Sequence, residues 1–221
     1  KYIQGVWFEE EYRRVYPNNT LASDVIGFTT KDNVGNYGLE AYYNDILSGV
    51  NGREYGYMND DSNLERVIKP AANGNTVVST LDLNIQNVVE KYIDQWQAGT
   101  GSQQAAVIVM DPDNGEVLAM AATNRYDLNN PRDLSAYYTE EEIASMDTEA
   151  QMEAWNKMWR NFCVSDTYEP GSTQKVFTVA AALEEGLSNG FEYHDCGGFK
   201  EGGGWRIRCV ARNGHGPLTV E

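Results

Sequence analysis

The rhythm of apolar and polar positions changes several times along this chain, and each change marks an element. Between residues 83 and 96, Ile85, Val88, Val89, Tyr92, Ile93 and Trp96 fall on one helical stripe. Asp82 stands at the N-cap position and Gly99-Thr-Gly101 breaks the chain beyond, so the spacing predicts a helix running to about Trp96. A strand is expected before it, over residues 76–81. Two short apolar runs follow, at 105–110 and 116–121, joined by Asp111-Pro-Asp-Asn-Gly115, which favours a tight hairpin. Their near-continuous apolar character predicts a central sheet covered on both faces.

Farther on, Thr139-Glu-Glu-Glu142 matches a capping box, and Asp147 or Thr148 can open a second helix through Trp159. Val176, Phe177, Val179, Ala180 and Leu183 recur at helical spacing almost without charge, and Gly186 closes the run. That pattern predicts a helix buried on most sides. Residues 196–209 look like a glycine-rich hairpin, and Thr219-Val-Glu221 like a helix start. Residues 1 to about 80 are turn-rich by contrast, with Asn-Asn, Gly-Asn, Asn-Gly and Asn59-Asp-Asp61 clusters between short strand-like runs. One helix is expected there, from Leu39 to about Leu47, with Gly49 as its stop. The segment is acidic, aromatic and short of aliphatic side chains. Alone it makes a thin core, so it is expected to lean on something else.

Composition narrows the function. The 221 residues carry 17 basic and 33 acidic side chains, a net charge of -16. That balance argues against a grip on nucleic acid or on anionic lipid. No apolar run reaches the ~18 residues of a membrane span, and no signal peptide is visible behind the opening Lys-Tyr-Ile-Gln. A start without Met points to an excised or processed product. Mixed helices and hairpins place the fold in the α+β class.

The chemistry concentrates in Tyr168-Glu-Pro-Gly-Ser-Thr-Gln-Lys175. Pro170-Gly171 forces a turn, Ser172 then stands in the first turn of the apolar helix, and Lys175 rises from the same face three residues on. A serine hydroxyl is a weak nucleophile until a base takes its proton. A lysine can be that base only when neutral, a state favoured by burial and by the positive end of a helix dipole. Ser-x-x-Lys by itself is a weak pattern, because serine is a common cap and a first-turn lysine usually faces solvent. The Pro-Gly turn, the apolar helix and the preceding hairpin favour catalysis, with Ser172 as nucleophile and Lys175 as general base.

Residues 159–175, continued by Phe177-Thr-Val-Ala-Ala-Ala-Leu-Glu-Glu-Gly186, resemble the active-site serine segment of class B penicillin-binding proteins. Ser79-Thr-Leu-Asp-Leu-Asn-Ile-Gln86 and residues 106–122 resemble the entry to their transpeptidase domain. Arg14-Val-Tyr-Pro17, Leu21-Ala22, Gly27 and Gly38-Leu-Glu40 through Gly49 and Gly52 resemble their N-terminal pedestal. The resemblance divides the chain into a mostly β pedestal and dimerisation domain over 1–76 and an incomplete transpeptidase domain, a central antiparallel sheet with helices, over 77–221. It implies a D,D-transpeptidase that cross-links peptidoglycan stem peptides. Ser172 attacks the D-Ala-D-Ala carbonyl, Lys175 accepts and returns the proton, and β-lactams acylate Ser172. The Ser172 backbone amide is a natural oxyanion donor. The same resemblance implies membrane partners in the division or elongation machinery, allows a homodimer, and sets the protein at the extracytoplasmic face of the bacterial membrane, with its anchor outside this chain.

The family also uses Ser-x-Asn and Lys-Thr-Gly motifs. No serine occurs after Ser188 and no Lys-Thr-Gly after Lys200, while residues 214–221 resemble the lead-in to the helix before Ser-x-Asn. The chain is therefore expected to stop short of half its site and to have little or no transpeptidase activity alone. A penicillin sensor or β-lactamase relative and a non-catalytic cell-wall scaffold are the rival readings. The long pedestal counts against the first.

Three cysteines do not fix a redox compartment. Cys196 and Cys209 can pair, leaving Cys163 over, and two reduced thiols fit the count equally. His194, Cys196, Cys209 and His215 can also be read as a zinc set, but their spacing matches no standard finger, and a thiol pair or disulfide is preferred. The family resemblance likewise implies paired cysteines near the active-site rim. Cys163 reads as a small buried hydrophobe. No metal or cofactor is expected.

Overall fold

The computed structural model describes residues 12–58, 60 and 64–220. They fall into two units, one ending at Asp166 and the other beginning at Thr167. Asn59, Asp61 and Glu221, on which two of the expectations above fall, lie outside the described residues.

In the first unit, Arg14 and Tyr16 fold the chain onto a buried carboxylate. Arg14 Nε donates to Glu40 Oε1 at 2.7 Å, and the Tyr16 hydroxyl donates to it at 3.2 Å. Between these partners run α1 (Ser23–Ile26), β1 (Phe28–Thr29) paired antiparallel with β2 (Gly35–Asn36), and α2 (Gly38–Tyr42). Two glycines permit the close crossing. Gly27 and Gly38 sit at φ +74° and +50°, and a Cβ would fall 2.0 Å from the Tyr37 carbonyl oxygen or 2.2 Å from that of Val25. The single helix expected over 39–47 is two, because α2 stops at Tyr43 and α3 (Asn44–Leu47) begins there. Asn44 accounts for the break: its side-chain oxygen accepts the Gly35 N–H at 2.8 Å and holds the chain to β2. Beyond it, β3 (Arg53–Met58) and β4 (Leu64–Lys69) form an antiparallel hairpin that is largely exposed.

Residues 76–81 do not form the expected strand. Among the described residues they reach the next hairpin only at their end, where Thr80 donates to the Val117 carbonyl at 2.7 Å and the Asp82 N–H to that of Leu118 at 2.8 Å. Asp82 then caps α4 (Leu83–Thr100), its carboxylate accepting the N–H groups of Asn84 and Ile85 at 2.8 and 3.0 Å. The helix runs through Gly99 and ends at Gly101, whose φ of +67° is the left-handed stop. It packs on the antiparallel hairpin of β5 (Ala106–Met110) and β6 (Val117–Ala122), with Val89 and Ile93 against Ala119 and Ala121.

The buried face of α4 is rotated from the expected stripe. Val88, Tyr92 and Trp96 are exposed, while Gln86 and Glu90 are buried. Hydrogen bonding explains the rotation. The Gln86 amide donates to the Met120 carbonyl and accepts the Met120 N–H, each at 2.9 Å, and donates to Glu90 at 2.8 Å. Glu90 in turn accepts the Ala22 N–H at 2.8 Å and lies 3.5 Å from Arg125 Nε. A fully satisfied polar bracket of this kind can occupy a core position that apolar counting reserves for valine. Coverage of the hairpin on both faces is only partial, since Ile108 and Met110 stay exposed.

The capping expectations downstream hold. Thr139 and Glu142 form the capping box of α5 (Glu140–Ser145), and Asp147 caps α6 (Thr148–Trp159) through the Ala150 N–H at 2.8 Å. Asn161 opens the short α7 (Phe162–Ser165), where Cys163 is half-buried with its sulfur 3.5 Å from the Ala121 carbonyl. Helix α6 delivers Ala154, Met158 and Trp159 to a core that also holds Tyr16, Phe28, Tyr126, Leu128 and Leu134. The Phe28 and Trp159 rings stand 4.9 Å apart, and the Trp159 indole N–H donates to the Pro131 carbonyl at 2.6 Å. The N-terminal segment does lean on another part of the chain, residues 126–159.

The second unit contains a 3-10 turn (Gly171–Thr173), α8 (Gln174–Glu184), β7 (His194–Cys196), β8 (Phe199–Gly202), β9 (Trp205–Arg208) and β10 (Gly216–Leu218). The glycine-rich hairpin is β8–β9, and its two-residue turn places Gly203 and Gly204 at φ +59° and +82°, the sign that hairpin twist requires. Of the helix start expected at Thr219-Val-Glu221, the structure describes only Thr219 and Val220. Just before it, β10 pairs antiparallel with β7, and the Val220 N–H donates to the Gly190 carbonyl at 3.2 Å. Helices with antiparallel strands make the class α+β.

Candidate active site

Pro170, at φ −71° and ψ −19°, and Gly171, at φ +57°, turn the chain into the 3-10 turn that runs on into α8. Ser172 lies in that turn, and Lys175 is the second residue of α8. Thr173, not Ser172, ties the turn: its hydroxyl donates to the Pro170 carbonyl at 2.6 Å. Among the described residues, neither the Ser172 hydroxyl nor the Lys175 amine has a hydrogen-bond partner. Serine here caps nothing. Both residues are exposed, which differs from the sheltered pair that the helix pattern predicts.

The helix itself explains the difference. Val176 and Phe177 are 71% and 68% exposed, and no described hydrophobic side chain of the second unit is buried. An apolar stripe buries itself only against a second layer. One helix and two two-stranded ladders do not make one.

A second cluster gathers on the ladders of the same unit. Cys196, Cys209 and His215 converge, with the sulfurs 3.7 and 3.4 Å from His215 Nδ1. All three cysteines of the chain are free thiols. The Cys196 thiol is pulled down to about 6, first by the Gly198 backbone N–H and then by the His215 side chain. His194, grouped with them from the sequence, stays apart on β7 opposite Leu218. The signal that separates the two histidines is the register of β10 on β7, which places Gly216 beside Cys196 and so brings His215 with it.

A serine in a tight turn ahead of a lysine-bearing helix, on a fold of helices and antiparallel hairpins, fits the Ser-x-x-Lys pattern of penicillin-recognising proteins. The model of the penicillin-binding protein dimerisation domain matches residues 1–79, and that of the penicillin-binding protein transpeptidase domain matches residues 105–221. The chain belongs to the class B penicillin-binding proteins. It is 34% identical over 226 residues to stage V sporulation protein D of Bacillus subtilis, covering 98% of this chain and 31% of that protein. It is 31% identical over 241 residues to peptidoglycan D,D-transpeptidase MrdA of Escherichia coli, covering 98% and 36%. The solved structure of penicillin-binding protein 3 from Mycobacterium tuberculosis, complexed with aztreonam, matches with a TM-score of 0.64 at 30% identity, over 93% of this chain and 38% of that one. The chain thus spans about a third of the length of these curated relatives.

Proposed function

We propose that this chain contributes the acylating serine and its base to a D,D-transpeptidase that cross-links peptidoglycan stem peptides. The observation that carries the reading is Ser172 in the turn that opens α8, free of any capping role, with Lys175 three residues on. Ser172 Oγ bonds to the carbonyl carbon of the penultimate D-Ala. Lys175 takes the hydroxyl proton and hands it to the amine of the departing D-Ala. An amine from a second stem peptide then attacks the acyl-serine, and its proton returns through Lys175 to the Ser172 oxygen. The Ser172 N–H supplies one donor to the carbonyl oxygen as it gains charge. A β-lactam follows the first half of this path.

Proton transfer through a lysine needs a site that excludes water. The described residues leave Lys175 open, so this chain alone is proposed to be without turnover. Activity would belong to a protein of its relatives' length, acting at the extracytoplasmic face of the membrane with partners of the division or elongation machinery. Among the described residues, no helix is long and apolar enough to cross a membrane.

Fluorescent penicillin tests the reading on a protein of that length. The label is expected on the peptide that contains Ser172, absent in Ser172→Ala, and formed roughly 100-fold or more slowly in Lys175→Ala. Labelling that survives Ser172→Ala, or no labelling of folded protein, would overturn it.

A further inference from the structure

We infer that Asn51 and Asn73 are sites of spontaneous deamidation, the two among five Asn-Gly pairs that the folded protein leaves open to it. The pairs are Asn51-Gly52, Asn73-Gly74, Asn114-Gly115, Asn189-Gly190 and Asn213-Gly214. A glycine after asparagine favours the reaction, because no Cβ stands in the path of ring closure. The attacking atom is the glycine backbone nitrogen. It bonds to the carbonyl carbon of the asparagine side chain, its proton passes to the leaving nitrogen, and ammonia departs from a cyclic imide. Water then opens the ring at one carbonyl or the other. One product is aspartate. The other is isoaspartate, whose backbone runs through the side-chain methylene.

A glycine N–H held in a hydrogen bond is less available to attack, and three of the five are held. Gly115 donates to the Asp111 carbonyl at 2.9 Å, Gly190 to the Ser188 hydroxyl at 3.1 Å, and Gly214 to the Ala211 carbonyl at 2.9 Å. Two of the asparagines in these pairs are held as well. Asn114 Oδ1 accepts the Glu116 N–H and Asn189 Oδ1 that of Phe191, each at 2.8 Å. Among the described residues, the N–H groups of Gly52 and Gly74 have no partner, and neither do the side chains of Asn51 and Asn73. Both asparagines are exposed, so water and base reach them.

The two sites flank one structural link. Val50 and Ala72 form an isolated antiparallel bridge, each donating its N–H to the other's carbonyl, at 2.8 and 2.9 Å. Asn51 follows one of these residues and Asn73 the other. The bridge closes the foot of the β3–β4 hairpin. Just beyond it, the Asn75 N–H donates to the Ile46 carbonyl at 2.8 Å, and Gly74 passes so close to α3 that a Cβ there would fall 1.9 Å from the Leu47 carbonyl oxygen. Isoaspartate lengthens the backbone by one methylene at a point where the chain has no slack, and either product adds a negative charge to a chain of net charge -16. The bridge then loses its register, and the hairpin loosens from α3. The modification acts as a slow chemical timer at the foot of an exposed hairpin.

Peptide mapping tests the assignment. The purified full chain is aged in mildly alkaline buffer, and its peptides are resolved by mass spectrometry with an isoaspartate-specific methylation assay. Asn51 and Asn73 are expected to convert roughly tenfold faster than Asn114, Asn189 and Asn213, about what one ordinary hydrogen bond on the glycine is worth. In denaturant all five should convert at similar rates. Hydrogen-exchange protection at Val50 and Ala72 should fall as wild-type protein ages and hold in the Asn51→Gln, Asn73→Gln double variant, which spares the closely packed glycines. Equal rates at all five sites in the folded protein, or first conversion at Asn114, Asn189 or Asn213, overturn the assignment. So does a ranking that survives unchanged in denaturant. The wild-type map decides whether or not the variant folds.

Discussion

Replacing Asp24 with asparagine probes the most costly buried group in the first unit. Asp24 is 5% exposed, and neither carboxyl oxygen has a hydrogen-bond partner among the described residues. The nearby Arg125 guanidinium is engaged by Glu90 and Asp94. Burial pushes the Asp24 carboxyl from 3.8 up to about 8, with Glu90 adding to the rise while Arg125 and the Ser23 hydroxyl pull against it. The folded protein thus keeps a proton that the unfolded chain releases above 3.8. Stability is whole below that pH and drains away as pH climbs toward 8. At about 1.36 kcal/mol per pH unit, the span from 3.8 to neutrality costs about 4 kcal/mol, and the span from 3.8 to pH 5 about 1.6 kcal/mol. Asparagine keeps the shape and carries no charge at any pH. Its amide has a burial cost of its own, constant with pH, so the readout is the change in the gap between the two proteins. Urea unfolding followed by circular dichroism should show Asp24→Asn gaining about 2.7 kcal/mol on the wild type between pH 5 and pH 7. An equal gap at both pH values would mean that Asp24 is ionised in the folded protein, and the account of its burial would be wrong.

Three further substitutions test the packing. Gln86→Leu should cost about 3 kcal/mol in chemical unfolding, because it strands the Met120 N–H and carbonyl and one donor to Glu90; a loss under about 0.5 kcal/mol would argue against the polar bracket. Asp82→Ala should cost about 1 kcal/mol and lower the thermal midpoint, since two N–H groups of α4 lose their acceptor. Gly38→Ala, at φ +50° and 2.2 Å from the Val25 carbonyl oxygen, should cost at least about 1–3 kcal/mol and open the Arg14–Glu40 contact to proteolysis.

Local punctuation is what the sequence makes legible. Asp82, Thr139 and Asp147 act as caps because capping needs partners within three residues. The turn through Gly203 and Gly204 is equally local. The buried side of α4 is not, because Gln86 and Glu90 find Met120 and Ala22 at separations of 34 and 68 residues. The break at Tyr43 likewise depends on the Asn44 bond to Gly35, which no periodicity records. At the candidate site, the Pro-Gly turn and the start of the helix after Ser172 are legible for the same local reason. The exposure of α8 escapes the same reading, since an apolar pattern reports a need for cover and not its presence. His215 and His194 cannot be ranked from spacing alone; the register of β10 on β7 separates them.

The joint core of Tyr16 and Phe28 with residues 126–159 makes the two sequence-matched domains mechanically inseparable. A protease that nicks the exposed stretch near Val78 should release no free amino-terminal piece; the severed halves would stay clasped through Phe28 and Trp159. Biosynthesis inherits the same constraint. Tyr16 and Phe28 leave the ribosome well before Trp159 and must wait, uncovered, for more than a hundred residues of chain to arrive before their shared core can close.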